Sequence, residues 1–334
     1  MKINTEILKR VVSKILVEDV ANIDYQTKQL QGGTVGDVQL ITGVAKTIAG
    51  DFPYQVVLKT SKKWERYGDP HSWRREYDLY QSDLGTAFSD TLRWPTCYHS
   101  ELNEDEIQLW LEYIEGVSGL DLTAEMYERA AYELGKFQGK LYVEQPAFLQ
   151  DLTNLSQVEY AKNFYLHYKS WHVVYDYIRS DDCELPKQVC QMLIEFDEVA
   201  DEAFSRIEKL PIVFCHRDFW VTNIFDANEK IILIDWDTTG WGYLGEDIAS
   251  LLADEADVTH IVEYYQRCIP AYYKGFLEYT AVSPIIDHCV HELILALFGY
   301  RLIEWHLYAK TPEEKTLHLT TLEKIYQMKG VEIV

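Results

Sequence analysis

One stretch limits the possible folds more than any other. His216-Arg217-Asp218-Phe219-Trp220-Val221-Thr222-Asn223 is preceded by the apolar Ile212-Val213-Phe214 and followed by Lys230-Ile231-Ile232-Leu233-Ile234-Asp235. The two apolar runs read as short buried strands, and Asp226-Ala227-Asn228 between them reads as a turn. An Asn five residues after an Asp can return to the same cavity across a short loop. Asp235 closes its strand, so its carboxylate emerges where the strand enters a loop. Asp218, Asn223 and Asp235 are therefore expected to converge. An isolated His-Arg-Asp tripeptide arises by chance and its Asp could cap the next turn, so the assembly carries the reading rather than the tripeptide.

This set of side chains suits phosphoryl transfer. That reaction needs an in-line hydroxyl, a carboxylate to orient it and take its proton, and Mg²⁺ to hold the phosphates. Asp218 is the candidate base. The Asn223 carbonyl and the Asp235 carboxylate offer oxygen to a hard cation that otherwise keeps waters and phosphate oxygens.

HRDFWVTN and the later Ile234-Asp235 resemble the catalytic core of the aminoglycoside phosphotransferase and choline kinase superfamily, whose loop reads H-x-D-x-x-x-x-N and whose metal Asp follows an Ile. The resemblance implies an α+β, bilobal protein-kinase-like fold with a small antiparallel-sheet N-lobe and a mostly helical C-lobe. It implies Asp218 as catalytic base, Asn223 and Asp235 as magnesium ligands, ATP or GTP as donor, and a small-molecule acceptor. Gly245-Glu246-Asp247-Ile248-Ala249 is similar to the family's short D-x-A element, in which an Asp at a helix start supports the catalytic loop from below.

The amino-terminal third supplies the remaining parts in order. Gly33, Gly36 and Val38 match the end of G-x-G-x-x-G-x-V, with Gln31 in place of the first glycine. Glycines there allow close backbone approach to an anion, although a Gly-rich hairpin turn suits any sheet. Tyr54-Gln55-Val56-Val57-Leu58-Lys59 resembles the strand whose Lys reaches the phosphates, with Lys62 and Lys63 as rivals past its end. Glu76, with Glu65 as its rival, lies on an expected helix where Trp73, Tyr77 and Tyr80 share a face, and would pair with Lys59. Residues 107 to 116, including Glu112, read as an edge strand running into the hinge that binds the adenine. Order along the chain is harder to obtain by accident than any one motif.

Length and charge set outer bounds. At 334 residues the chain exceeds what one core usually fills, and two lobes are expected, residues 1–114 for nucleotide and 115–334 for catalysis and acceptor. The six cysteines are scattered without a zinc-like spacing. No apolar run suggests a membrane span or signal sequence, so a cytoplasmic protein is expected, as monomer or homodimer. A net charge of −23 argues against nucleic acid. Residues 1–114 carry −4 and the rest −19, so the acidity belongs to the acceptor lobe. Such a field would concentrate a cationic acceptor, or it serves solubility. Helices are expected over 4–18, 123–143, 155–178, 186–208, 257–278, 284–308 and 311–328. Asp237 and Trp241, then Asp254, Glu255 and Asp257, are candidates to face the acceptor. Only twelve residues separate Asp235 from Asp247, too few for a long activation loop, which favours a small molecule over a protein as acceptor. A kinase for a neutral sugar or an amino-acid-derived hydroxyl, and a non-catalytic binding protein of this fold, are the competing readings.

Overall fold

The protein is described by a computed structural model covering residues 3–30, 36–64, 69–280 and 287–331. The fold is α+β and bilobal. Its amino-terminal lobe is built on a long antiparallel hairpin, Gly36–Lys46 against Asp51–Lys62, in continuous register from Gly36 opposite Ser61 to Lys46 opposite Asp51. Alternation sets the faces: Tyr54, Val56, Leu58 and Thr60 are buried in turn. Tyr54, Val56 and Leu58 pack on Ile7, Leu8, Val11 and Val12 of the helix Thr5–Leu16. That helix is capped by the Asn4 side chain, which accepts from Glu6 and Ile7, and it ends at Val17 in the left-handed region. Lys59 points to the opposite face. It lies in register between Val38 and Leu109, under the helix Ser72–Tyr80 whose Trp73 packs on Ile107, Leu109 and Leu111.

The hinge strand differs from expectation. It covers Glu106–Leu111 and is interior, because Cys97–Leu102, a run whose alternation is too weak to announce a strand, pairs along its free side. Leu109, Trp110 and Leu111 are consecutively buried for that reason.

The second lobe is helical. Its expected helices form as Ala124–Glu144, Ile261–Leu277 and Pro312–Met328, the last opened by a capping box between Thr311 and Glu314. The span 155–178 is broken into Tyr160–Ser170, His172–Tyr175 and a 3₁₀ turn, Tyr177–Arg179. At the break, Trp171 leaves helical geometry and stacks between Tyr168 and Tyr308, at 6.2 and 6.1 Å. The span 186–208 divides at Val199 into Lys187–Glu198 and Ala200–Ile207. The span 284–308 contains a π turn, Leu295–Gly299, between Asp287–Ile294 and Tyr300–Leu307. Such a turn rotates the faces that follow it.

Small strands join the hairpin that follows the His216–Asn223 loop to its surroundings. Ile224–Ala227 pairs with Lys230–Leu233 through a turn with positive φ at Asn228 and Glu229, and Leu92–Arg93 adds in parallel to the outer side. Ile212–Cys215 pairs separately with Gly240–Tyr243. No helix among the described residues is long and apolar enough to cross a membrane.

Candidate active site

The loop from His216 to Asn223 leaves the end of Ile212–Cys215 and is held from below. Asp247, in the first turn of the helix Glu246–Ala253, accepts hydrogen bonds from the backbone N–H of His216 at 2.9 Å and of Arg217 at 2.7 Å. Gln138 donates a third at 2.8 Å from the long helix Ala124–Glu144. Burial nevertheless pushes the Asp247 carboxyl up to about 6. Arg217 is held at φ 65°, a costly conformation for a side-chain-bearing residue, and Asp247 repays part of that cost. The Arg217 guanidinium is buried. It donates to Ser156 Oγ at 3.1 Å and to the Trp241 carbonyl, and stacks over Tyr160 at 4.6 Å.

His216 couples the loop to the strand that ends at Asp235. Burial lowers its pKa to about 4, so the ring is neutral. Its Nδ1 accepts from the Asp218 N–H at 3.3 Å and its Nε2 then donates to the Ile234 carbonyl at 3.0 Å. Asp235, the next residue, also has positive φ, 63°, which turns it out of the strand into the cleft.

Five of the expected residues meet across the cleft, as a charged trio and a hydrogen-bonded pair. Lys59 Nζ lies 2.5 Å from Glu76 Oε2 and 2.8 Å from Asp235 Oδ1. Burial opposes the ammonium, but Asp235 and Glu76 outweigh it and hold the Lys59 pKa above its ordinary value. Asn223 donates from Nδ2 to Asp218 Oδ2 at 2.7 Å. Burial, then the charges of Asp235, Asp254 and Asp237, push the Asp218 carboxyl up to about 7 against that hydrogen bond.

The implied magnesium fits this donor set. With its amide nitrogen on Asp218, Asn223 keeps its carbonyl oxygen for a cation, and Asp235 supplies a carboxylate. Among the described residues no three His, Cys, Asp or Glu side chains cluster for a metal, so a cation here needs phosphate oxygens and waters as further ligands.

Other expected residues are placed less directly. Gly36 opens its strand with no room for a side chain, since an added Cβ would lie 2.9 Å from the Thr60 carbonyl, and Val38 sits opposite Lys59. Gly33 and the rival Glu65 lie outside the described residues. Lys63 pairs loosely with exposed Asp105, at 3.7 Å. At the hinge, the Glu112 carboxylate is taken by Arg93 at 2.6 and 2.8 Å, and its N–H donates to Thr96. That leaves its carbonyl as the polar group Glu112 can offer a base. The Asp237 carbonyl accepts from Arg75, while the Trp241 ring leans edge-on against Phe214 at 5.7 Å.

Sequence reasoning missed Arg75. This side chain is 1% exposed and donates to the carbonyls of Asp237 at 2.7 Å and Asn154 at 2.8 Å and to the Asp69 carboxylate. It thereby fastens the Glu76 helix to both the loop after Asp235 and the Asn154 segment of the second lobe. Its position beside Glu76 was the one available signal; the partners lie 79 and 162 residues away. Ser156 and Tyr160 were missed for the same reason.

A two-lobed molecule with a buried Lys–Glu pair above a supported Asp–Asn loop has the form of a protein-kinase-like enzyme. The sequence matches the model of the Phosphotransferase enzyme family (APH) over residues 71–276, and the chain belongs to that family. A search of curated proteins gives no match. Solved structures share the fold at low identity. An amicoumacin kinase in complex with AMP-PNP and Ca²⁺ aligns over 97% of this chain and 96% of its own, at 12% identity and TM-score 0.55. A choline kinase from Cryptosporidium parvum Iowa II aligns over 98% and 95%, at 16% identity and TM-score 0.57. The aminoglycoside 2'-phosphotransferase-IIIa, in its GDP complex, aligns over 98% and 100%, at 13% identity and TM-score 0.58.

Proposed function

We propose that this protein is a cytoplasmic ATP-dependent kinase, with GTP as the alternative donor, that moves the γ-phosphoryl group to a hydroxyl of a small molecule bearing positive charge. Residues 1–114 would bind the nucleotide and residues 115–334 the acceptor. One observation carries the reading: the Lys59–Glu76 pair reaches Asp235 across the cleft while Asn223 and Asp218 meet 2.7 Å apart below it.

The roles follow from the chemistry. Lys59, fixed by Glu76, would bind phosphate oxygens, with Gly33, Gly36 and Val38 covering them and the hinge at Glu112 meeting the base. Magnesium, held by Asn223 and Asp235, would neutralise charge on the phosphates when bound. Asp218 would orient the acceptor hydroxyl and receive its proton as the new O–P bond forms and the bond from the γ-phosphorus to the diphosphate oxygen breaks. A carboxyl held near neutrality by its surroundings suits that exchange. The acidic second lobe, with Asp237 acting on both Asp218 and Lys59 and with Trp241 as the aromatic candidate, would gather a cationic acceptor.

The test is nucleotide consumption with Mg²⁺ across aminoglycosides, choline, ethanolamine, homoserine and methylthioribose. Acceptor-dependent turnover should fall by roughly 10²–10⁴-fold in Asp218→Asn. Turnover that survives this substitution would remove Asp218 from the mechanism.

A further inference from the structure

Arg301 does not fit a site built only for cations. Among residues 115–334 the other five arginines all donate hydrogen bonds: Arg129 to Asp226, Arg179 to Asp197, Arg206 to Glu292, Arg217 to Ser156 and Arg267 to Glu128. Arg301 donates none among the described residues. Its nearest carboxylate, Asp254 Oδ2, lies 3.5 Å from one terminal nitrogen without the alignment of a hydrogen bond.

What holds Arg301 instead is aromatic. Its guanidinium lies 4.5 Å from the Trp305 ring centre, 5.5 Å from Phe298 and 5.9 Å from Phe164. Phe298, Arg301 and Trp305 share one helix face, and the π turn Leu295–Gly299 sets where that face points. Contact with ring faces orients the guanidinium and leaves its in-plane N–H donors unused, an arrangement suited to a planar anion. The side chain is 31% exposed, so those donors are accessible.

The position links this guanidinium to the chemistry. Asp254 is one of the charges that acts on Asp218. A second path runs through rings: Arg217, next to Asp218, stacks on Tyr160, Tyr160 lies 5.7 Å from Phe164, and Phe164 flanks Arg301. Asp254 itself is largely buried and has no hydrogen-bonded cation among the described residues. A loosely opposed Arg and Asp, the Asp acting on the catalytic carboxylate and the Arg 3.5 Å behind it, form a matched pair of charge receptors.

We propose that the acceptor is a small zwitterion bearing the reactive hydroxyl, its carboxylate taken in bidentate fashion by Arg301 and its ammonium by Asp254. This rests on the phosphotransferase reading above and narrows its substrate class. A polycation would bring further positive charge against Arg301, whereas a hydroxy-amino acid offers each receptor its own counter-charge at once. The acidity of the lobe then draws in the ammonium end, and Arg301 fixes which end enters first.

The experiment uses the full chain with Mg²⁺–ATP and acceptors matched in length but not in charge: homoserine, 2-amino-1,4-butanediol and 4-hydroxybutyrate, then serine, ethanolamine and glycolate. Turnover is compared in wild type, Arg301→Met, which keeps the stacked chain, and Arg301→Lys. A zwitterion should have the highest kcat/KM in its series. Arg301→Met should raise its KM tenfold or more with KM for ATP unchanged, and Arg301→Lys should recover part of the loss. An amine without a carboxylate as the best acceptor, or KM indifferent to Arg301→Met, overturns the proposal. If no acceptor in any charge class raises ADP release, the phosphotransferase reading fails, and thermal melting still decides the receptor pair. The zwitterions should then raise the Tm of wild type but not of Arg301→Met, and the absence of that difference overturns the proposal.

Discussion

Individual residues in this protein are set by burial as much as by contact. Glu246 is a case with a measurable consequence. Its Oε1 accepts from the Tyr243 N–H, but its Oε2 and the Arg217 Nε are both buried without a hydrogen-bond partner among the described residues, the two side chains lying 3.5 Å apart at closest. Burial, only partly offset by Arg217, pushes this carboxyl up to about 7. The folded chain therefore keeps a proton that the unfolded chain releases near its ordinary value of 4.5. Stability contributed by that proton is present at low pH and is lost as pH rises from there through 7. Melting temperatures of Glu246→Gln and wild type, compared from pH 5 to pH 8, should diverge in favour of the variant as pH rises. At the proposed nucleotide site, Lys59→Met should lower kcat/KM for ATP by about two to three orders of magnitude with the fold intact by circular dichroism. The convergence of Lys59, Glu76, Asp218, Asn223 and Asp235 was legible in the sequence because each lies within a short, ordered motif. Arg75 and Arg301 were not, since their partners come from distant parts of the chain and no local spacing reports them.

At the scale of elements, regular helices and alternating strands could be read, and their interruptions could not. Periodicity predicted one helix over 155–178, yet Trp171 gains more from stacking with Tyr168 and Tyr308 than from continuing the helix. Tertiary contact overrode a local preference worth a few tenths of a kcal/mol per residue. The π turn was invisible for the same reason. The packing of Ala124–Glu144 on Ile261–Leu277 is likewise hidden in composition. At Gly135 an added Cβ would sit 2.0 Å from the Tyr272 carbonyl, so the two backbones touch with no room for a side chain. Gly135→Ala should destabilise the protein by about 1–3 kcal/mol in denaturant melts. Because Gln138 is one turn further along the same helix and bonds Asp247, activity at moderate temperature should fall as well.

Across the whole molecule, the two lobes and their order could be inferred from length and motif order, whereas their fastening could not. Arg75 provides it, reaching from the Glu76 helix to the carbonyls of Asn154 and Asp237. Arg75→Met should reduce kcat/KM for ATP at least tenfold, a loss of ~1.4 kcal/mol, while leaving far-ultraviolet circular dichroism unchanged. A variant with full activity would show that the lobes are held elsewhere.

That buried clasp has a wider meaning. In protein kinases, activity is controlled by whether the helix bearing the Glu sits in or out. Here, moving that helix would break the hydrogen bonds of a buried guanidinium to two carbonyls, so an inactive posture is costly. Such an enzyme has no cheap off position. Under the proposed function, its output would then follow the supply of substrates rather than the posture of that helix.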